Sequence, residues 1–379
     1  MPYYSLKKRH VLLLVVISLL VAIIVPAICL AEADKIFREN NKAVVVIVTY
    51  DSQGKAIGLG SGFIVKANGA VATNYHVISN AKDIKIKAGS KVLKVEGLIY
   101  IDKENDLVIL KADGKGLPTV KIGDIAKVNI GEKVYVMGSP RGLENTISDG
   151  ILSGIREITP QRKLLQITAP ISAGSSGGPL FNQHGEVIGI ASFIIKEAQN
   201  LNFAMPVNLI RDEIGRGKVI AFKDAGIEDY KKTGAYWFNL GFAYEKSDMH
   251  KEAIRAFKEA IRIKPDMALA HYNLGIVYEK SGMHKEAIRA FKEAIRIKPD
   301  LAEAHYNLGV VYERSGMHKE AIEASKLAIR IKPDMVLAHY NLGLAYLSVN
   351  DRGSALEQYK ILKDLDTESA NKLFNLIHK

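Results

Sequence analysis

From residue 43 the chain alternates short apolar, β-branched runs with turn residues. AVVVIVTY, GFIVKANGAVATNYHVI, KVYVMGS, LLQITAP and EVIGIASFII follow one another with Gly, Asn and Asp between them. Runs of this length, bounded by turn formers, predict several short strands packed as a sandwich or barrel. Near residue 216 the texture changes. From residue 234 it is helical and the letters themselves repeat: HYNLG begins at 271, 305 and 339, and IRIKPD at 261, 295 and 329, each time 34 residues apart. A fixed period of that length predicts stacked helix pairs.

A third pattern precedes both. Residues 11–30 are uninterruptedly apolar, follow Lys7, Lys8 and Arg9, and lead into the small residues Ala31 and Ala33. This predicts an export segment. About 20 apolar residues also suffice to cross a bilayer, so both cleavage after Ala33 and retention as an inner-membrane anchor are open. Cys29, the only cysteine, lies inside this run, so the mature chain can form no internal disulfide. A lipid-attachment role for Cys29 is disfavoured by Pro26 three residues before it, and the residue reads as a small apolar filler. The expected organisation is 1–33 signal peptide or anchor, 34–216 the β domain, 217–233 a charged connector, and helical repeats at 234–267, 268–301, 302–335 and 336–369. Residues 370–379 then form a capping helix.

In the repeats, Gly241, Gly275, Gly309 and Gly343 share one register position, Tyr244, Tyr278, Tyr312 and Tyr346 another, and Pro265, Pro299 and Pro333 close the second helices. The pattern resembles the tetratricopeptide repeat. Ser325 departs from it where an aromatic is expected, and Leu362 and Thr367 replace Ala and Pro in the fourth copy. The resemblance implies a concave groove for a protein partner, with Asn239, Asn273, Asn307 and Asn341 and the rings of Phe238, Tyr272, Tyr306 and Tyr340 on its first helices. Packing and helix-surface hydrogen bonding is the competing role for each of them.

The sharpest chemical motif is Gly174-Ser175-Ser176-Gly177-Gly178-Pro179. A serine hydroxyl needs a base and donors for an oxyanion, and flanking glycines permit a tight turn that aims backbone N–H groups into one cavity. Upstream lie His76, at the end of TNYHV, and Asp106, at the head of NDLVIL, with Asp102 as an acidic competitor. The order His, Asp, Ser is that of chymotrypsin-type barrels. Taken with GSGFIV, GSPRGLENTISDGILSGI, GSSGGPL and NFAMP, residues 43–215 resemble the trypsin-like domain of the HtrA/Deg proteases. That resemblance implies a double six-stranded all-β barrel ahead of the α-solenoid and a serine endopeptidase acting on misfolded proteins outside the cytoplasm. In it Ser176 is the nucleophile, His76 the base and Asp106 its partner, with the amides of Gly174 and Ser176 as oxyanion hole. Ser175 stands where the family usually has asparagine.

The segments flanking the serine imply a primary pocket near Ile171, Gly189, Ile190 and Ala191, without an acidic residue, hence a small apolar preference. The family's usual PDZ domain finds no room here, and the repeats take its place. Homotrimers are common in the family and are an expectation for this chain.

Net charge is +11, yet it is dispersed and no reading motif accompanies it, which argues against nucleic acid as a partner. His250, His284 and His318 recur with the repeat and read as turn residues, so no metal and no cofactor are expected. A different function class stays open: a protein-binding scaffold or holdase with a latent barrel.

Overall fold

The computed structural model describes residues 32–139, 146–159, 162–172, 174–194 and 202–379. The apolar run at 11–30 lies outside them, as does part of the segment from Gly138 to Ile155. Among the described residues no helix is long and apolar enough to cross a membrane. The chain divides into two compact units, one ending at Tyr230 and one beginning at Lys231.

The first unit opens with a helix over residues 32–40 (α1), whose Ile36 is buried. Its Glu32 accepts a hydrogen bond at 2.8 Å from the fully buried Tyr135 phenol. Strands β1 (Val44–Tyr50), β2 (Ala56–Lys66), β3 (Ala70–Asn74), β4 (Asp83–Ala88), β5 (Lys91–Asp102) and β6 (Leu107–Ala112) follow. They pair antiparallel in the order β5-β4-β1-β2-β3-β6, and a β5–β6 pairing closes the barrel. In β4 the sequence DIKIKA alternates exposed charge with buried Ile84 and Ile86, the period of a strand with one dry face. A one-turn helix α2 (Tyr75–Ile78) continues directly from β3.

After β7 (Lys121–Ile122) a second barrel forms from β8 (Lys133–Gly138), β9 (Thr146–Thr159), β10 (Arg162–Ile167), β11 (Pro179–Asn182), β12 (Glu186–Ile194) and β13 (Asn202–Pro206). Its order is β11-β8-β9-β10-β13-β12, closed by β11–β12, with β7 added parallel to β12. Val134, Val136, Leu152, Leu165, Leu180 and Ile188 fill it. A short helix α3 (Asn208–Arg211) ends this barrel. The double six-stranded barrel is thus as expected.

The connector carries some structure of its own. Residues 220–221 form β14 (Ile220–Ala221), which pairs with Gly97 and Leu98 at the β5 edge, and Tyr230 is buried. Lys218, Lys223, Asp224 and Lys232 are exposed, as are Val219 and Ile220, and Glu228 pairs with Lys103 of the first barrel.

The second unit is helical: α4 (Gly234–Lys246), α5 (His250–Ile263), α6 (Ala268–Lys280), α7 (His284–Ile297), α8 (Ala302–Arg314), α9 (His318–Ile331), α10 (Val336–Ser348), α11 (Arg352–Leu365) and α12 (Thr367–Ile377). Asp248, Gly282, Gly316 and Asn350 occupy one register position, and all have positive φ, which these residue types tolerate best. Gly241 and Gly275 lie against the rings of Phe257 and Phe291, where a Cβ would stand 2.8 and 2.7 Å away. In the third repeat Ser325 takes the aromatic's place, and Asn341 of the next repeat reaches in to donate to its hydroxyl at 2.9 Å. Asp366 accepts from the Ser369 N–H at 2.9 Å and so starts α12 at Thr367, earlier than the expected cap at residue 370. With Thr367 in place of proline, the chain turns directly into this helix.

Candidate active site

Asp106 lies in the turn between β5 and β6 with φ +57°, a left-handed conformation uncommon outside glycine. That backbone turns its carbonyl toward the end of β3, where it accepts from the Tyr75 N–H at 3.1 Å and from Asn74 Nδ2 at 2.9 Å. The carboxylate meanwhile grips the next residue twice. Oδ1 accepts the His76 backbone N–H at 2.8 Å, and Oδ2 stands 2.6 Å from His76 Nδ1. Asp106 is 3% exposed and His76 30%, so the pair is anchored inside and open outside. A carboxylate at Nδ1 favours the proton there and leaves Nε2 as a base.

Asp102, the competing carboxylate, is engaged elsewhere. It accepts from the Asn105 N–H at 2.9 Å, from Asn105 Nδ2 at 2.6 Å and from the Tyr100 hydroxyl at 3.2 Å. Burial, reinforced by Asp102, pushes the Tyr100 phenol up to about 12. Arg162, at the start of β10, crosses from the second barrel to this turn, donating to Asn105 Oδ1 at 2.6 Å and to the Glu104 carbonyl. Burial presses its guanidinium below the ordinary value, opposed by Tyr230, Glu104 and Asp102.

The glycine turn carries Ser176. Gly174 and Gly177 have φ of +97° and +85°, and a Cβ on Gly177 would stand 2.1 Å from Thr73 Oγ1 and 2.2 Å from the Ser61 carbonyl. Only glycine fits there. Of the five successive amides, that of Ser175 donates to Ser172 O at 2.9 Å, that of Gly177 to Ala191 O at 2.7 Å and that of Gly178 to Ser175 O at 3.0 Å. Those of Gly174 and Ser176 have no acceptor among the described residues.

Two residues escaped the sequence reading. Ser192 donates through its hydroxyl to Asp106 Oδ2 at 3.0 Å, and its carbonyl accepts the Ser176 hydroxyl at 3.0 Å. The Ser176 hydrogen therefore goes to Ser192 and not to His76 in this structure. Ser61 donates to the Gly174 carbonyl at 2.6 Å, accepts from the Ser139 N–H at 2.9 Å and donates its own N–H to Ser176 O at 2.8 Å. The only sequence signal for Ser61 was its place in GSGFIV.

Of the expected pocket residues, Ile171 and Ala191 belong to the apolar core of the second barrel. Gly189 faces Leu165 and Leu180, and Ile190 is fully buried. Among the expected groove residues, Asn273 donates to the Leu269 carbonyl at 2.8 Å, Asn307 to the Tyr272 hydroxyl at 3.0 Å and Asn341 to Ser325. Asn239 is buried, as is Phe238, which packs on Phe257. Tyr272, Tyr306 and Tyr340 are half-buried at 34-residue spacing. Burial pushes the Tyr272 phenol up to about 12, with Glu303 adding to it.

The family model for a trypsin-like peptidase domain matches residues 60–190, which hold His76, Asp106 and Ser176 together. Tetratricopeptide repeat models match 250–282, 280–316 and 302–335 in the helical unit. A probable periplasmic DegP-like serine endoprotease of Pseudomonas putida is 39% identical over 168 residues, 43% of this chain and 35% of the relative. A DegP-like relative from Halomonas elongata is 38% identical over 161 residues, 41% of this chain and 34% of its own. The chain thus spans about a third of the length of these curated relatives. The crystal structure of the serine endoprotease from Yersinia pestis is also similar, at 31% identity and a TM-score of 0.42, covering 48% of this chain and 64% of that one.

Proposed function

We propose that this chain is an exported serine endopeptidase that hydrolyses unfolded or damaged proteins through an acyl-enzyme on Ser176, with the repeats recruiting substrate or an adaptor. The observation that carries the proposal is the double hold of the Asp106 carboxylate on His76, in the same domain as a glycine turn whose two unspent amides flank Ser175.

In the proposed cycle the Ser176 hydroxyl turns from the Ser192 carbonyl to His76 Nε2. His76 takes its proton as Oγ attacks the substrate carbonyl carbon, and Asp106 stabilises the imidazolium. The amides of Gly174 and Ser176 receive the oxyanion, where losing one donor typically costs about 10² to 10³ in rate. His76 then passes the proton to the leaving amine, and water repeats the sequence on the ester. The apolar run and the relatives named as periplasmic support the proposed export. Half-buried Tyr272, Tyr306 and Tyr340 offer a row of rings for a protein partner, consistent with the repeat fold.

The resting bond from Ser176 to Ser192 favours a second reading, a holdase whose barrel stays latent. Degradation of an unfolded model protein by the full chain separates the two. Cutting and fluorophosphonate labelling that Ser176→Ala abolishes support the protease; retention of unfolded protein with neither supports the holdase.

A further inference from the structure

Residues 226–230 are fastened to the first barrel beside the candidate site. The Tyr75 hydroxyl accepts the Glu228 N–H at 2.9 Å and donates to the Glu228 carbonyl at 3.3 Å. Lys103 adds an ion pair to the Glu228 carboxylate at 2.7 Å and reaches the Gly226 carbonyl at 3.4 Å. Burial raises the Tyr75 phenol above its usual range, so it stays a neutral hydroxyl able to serve both backbone groups. Two residues on, Tyr230 is 3% exposed. Its ring meets Tyr75 edge-on at 5.7 Å and lies nearly parallel to the His76 imidazole, 25° between planes and 6.3 Å between centroids. The repeat unit begins with the next residue, Lys231.

Asp106 fixes one edge of the imidazole but leaves the tilt of its plane to whatever touches its face. An offset aromatic at this separation supplies that contact and favours the cation that forms when the ring accepts a proton. His76 keeps 30% exposure with Tyr230 in place, so the ring supports the imidazole without covering it. We propose that Tyr230 is a positioning residue for His76, and that docking of the connector on Tyr75 is what keeps the base aligned. The proposal rests on the reading of His76 as general base. It gives the segment leading into the repeats a direct hold on the chemistry.

The test uses the full chain with a chromogenic peptide, and a histidine label read by NMR. Tyr230→Leu and Tyr230→Ala should each lower kcat about tenfold with KM nearly unmoved, as expected for a misaligned base. Tyr230→Phe should match the parent, and Tyr75→Phe, which removes only the oxygen holding Glu228, should fall between. The His76 ring-proton resonance, assigned by its loss in His76→Gln, should shift in Tyr230→Leu through the lost ring current. A parental kcat in Tyr230→Leu would reduce the ring to filler, faster turnover in Tyr230→Ala would make it an obstruction, and an unmoved resonance would deny the contact; each overturns the proposal. If Ser176→Ala cuts as fast as the parent, the protease reading fails first and the positioning role with it, whatever the resonance does.

Discussion

The carbonyl of Ser192 holds the Ser176 hydroxyl at 3.0 Å, while the Ser192 hydroxyl donates to Asp106 Oδ2 at the same distance. One residue of β12 therefore touches both ends of the proposed triad. Its carbonyl competes with His76 for the nucleophile's proton, and its hydroxyl supports the carboxylate that supports His76. Ser192→Ala removes only the second contact. A hydrogen bond to a charged group is worth about 1.5 kcal/mol or more, so kcat/KM should fall about tenfold with the fold intact. Steady-state kinetics beside a thermal melt checks this, and an unchanged kcat/KM would leave Ser192 a packing residue.

The two acidic candidates should separate cleanly. Asp106→Asn keeps the shape but reverses the preferred imidazole tautomer, and kcat should drop about 10⁴-fold. Asp102→Asn disturbs its bonds to Asn105 and Tyr100 and its attraction to the Arg162 guanidinium, and should keep kcat within about tenfold of the parent. Equal losses in active-site-titrated enzyme would contradict the assignment of Asp106.

Ser61 belongs to β2 of the first barrel, yet it holds the Gly174 carbonyl and the Ser139 amide of the second. Ser61→Ala unties that carbonyl and loosens the Gly174–Ser175 peptide, which lies between the two proposed oxyanion donors and keeps only the bond from its Ser175 N–H to Ser172. We expect kcat to fall about tenfold with KM little changed, and fluorophosphonate labelling to slow in parallel. Parental labelling rates would show that the turn holds its shape unaided.

What was legible in the sequence was local. Strand runs between turn formers and a 34-residue period announce themselves within a few dozen residues, and both appear in the fold. The sequence preferred Asp106 to Asp102 only through the family resemblance; the φ of +57° at Asp106 and the capture of Asp102 by Asn105 are visible in the fold alone. Ser61, Ser192 and Tyr230 were not legible because folding brings them to partners 113, 86 and 154 residues away. Nothing in a serine's neighbours in sequence says whose carbonyl it will meet. The connector's path was not legible for a related reason: its letters say only that it is charged, whereas the contacts of Tyr230 with Tyr75 and His76 are made in the fold.

The last prediction concerns the repeats. Glu245 in α4 is 1% exposed and pairs with Lys246 at 2.7 Å and with Lys280 of the next repeat at 2.5 Å. Burial alone would raise its carboxyl, but the two lysines outweigh it and hold the group below the ordinary glutamate value of 4.5. A folded-state value below the unfolded one means stability that is full above about pH 4.5 and is lost as pH falls through the folded value. Trp237, the only tryptophan, lies on the same helix and reports its unfolding by fluorescence. Between pH 7 and pH 3.5 the parent should lose more stability than Glu245→Gln, which carries no titrating group there. At neutral pH the variant should be the weaker by about 1–2 kcal/mol, because both ammonium groups lose a charged acceptor while staying partly hydrated. Identical pH profiles for the two proteins would show that this ion pair contributes nothing to holding α4 against α6.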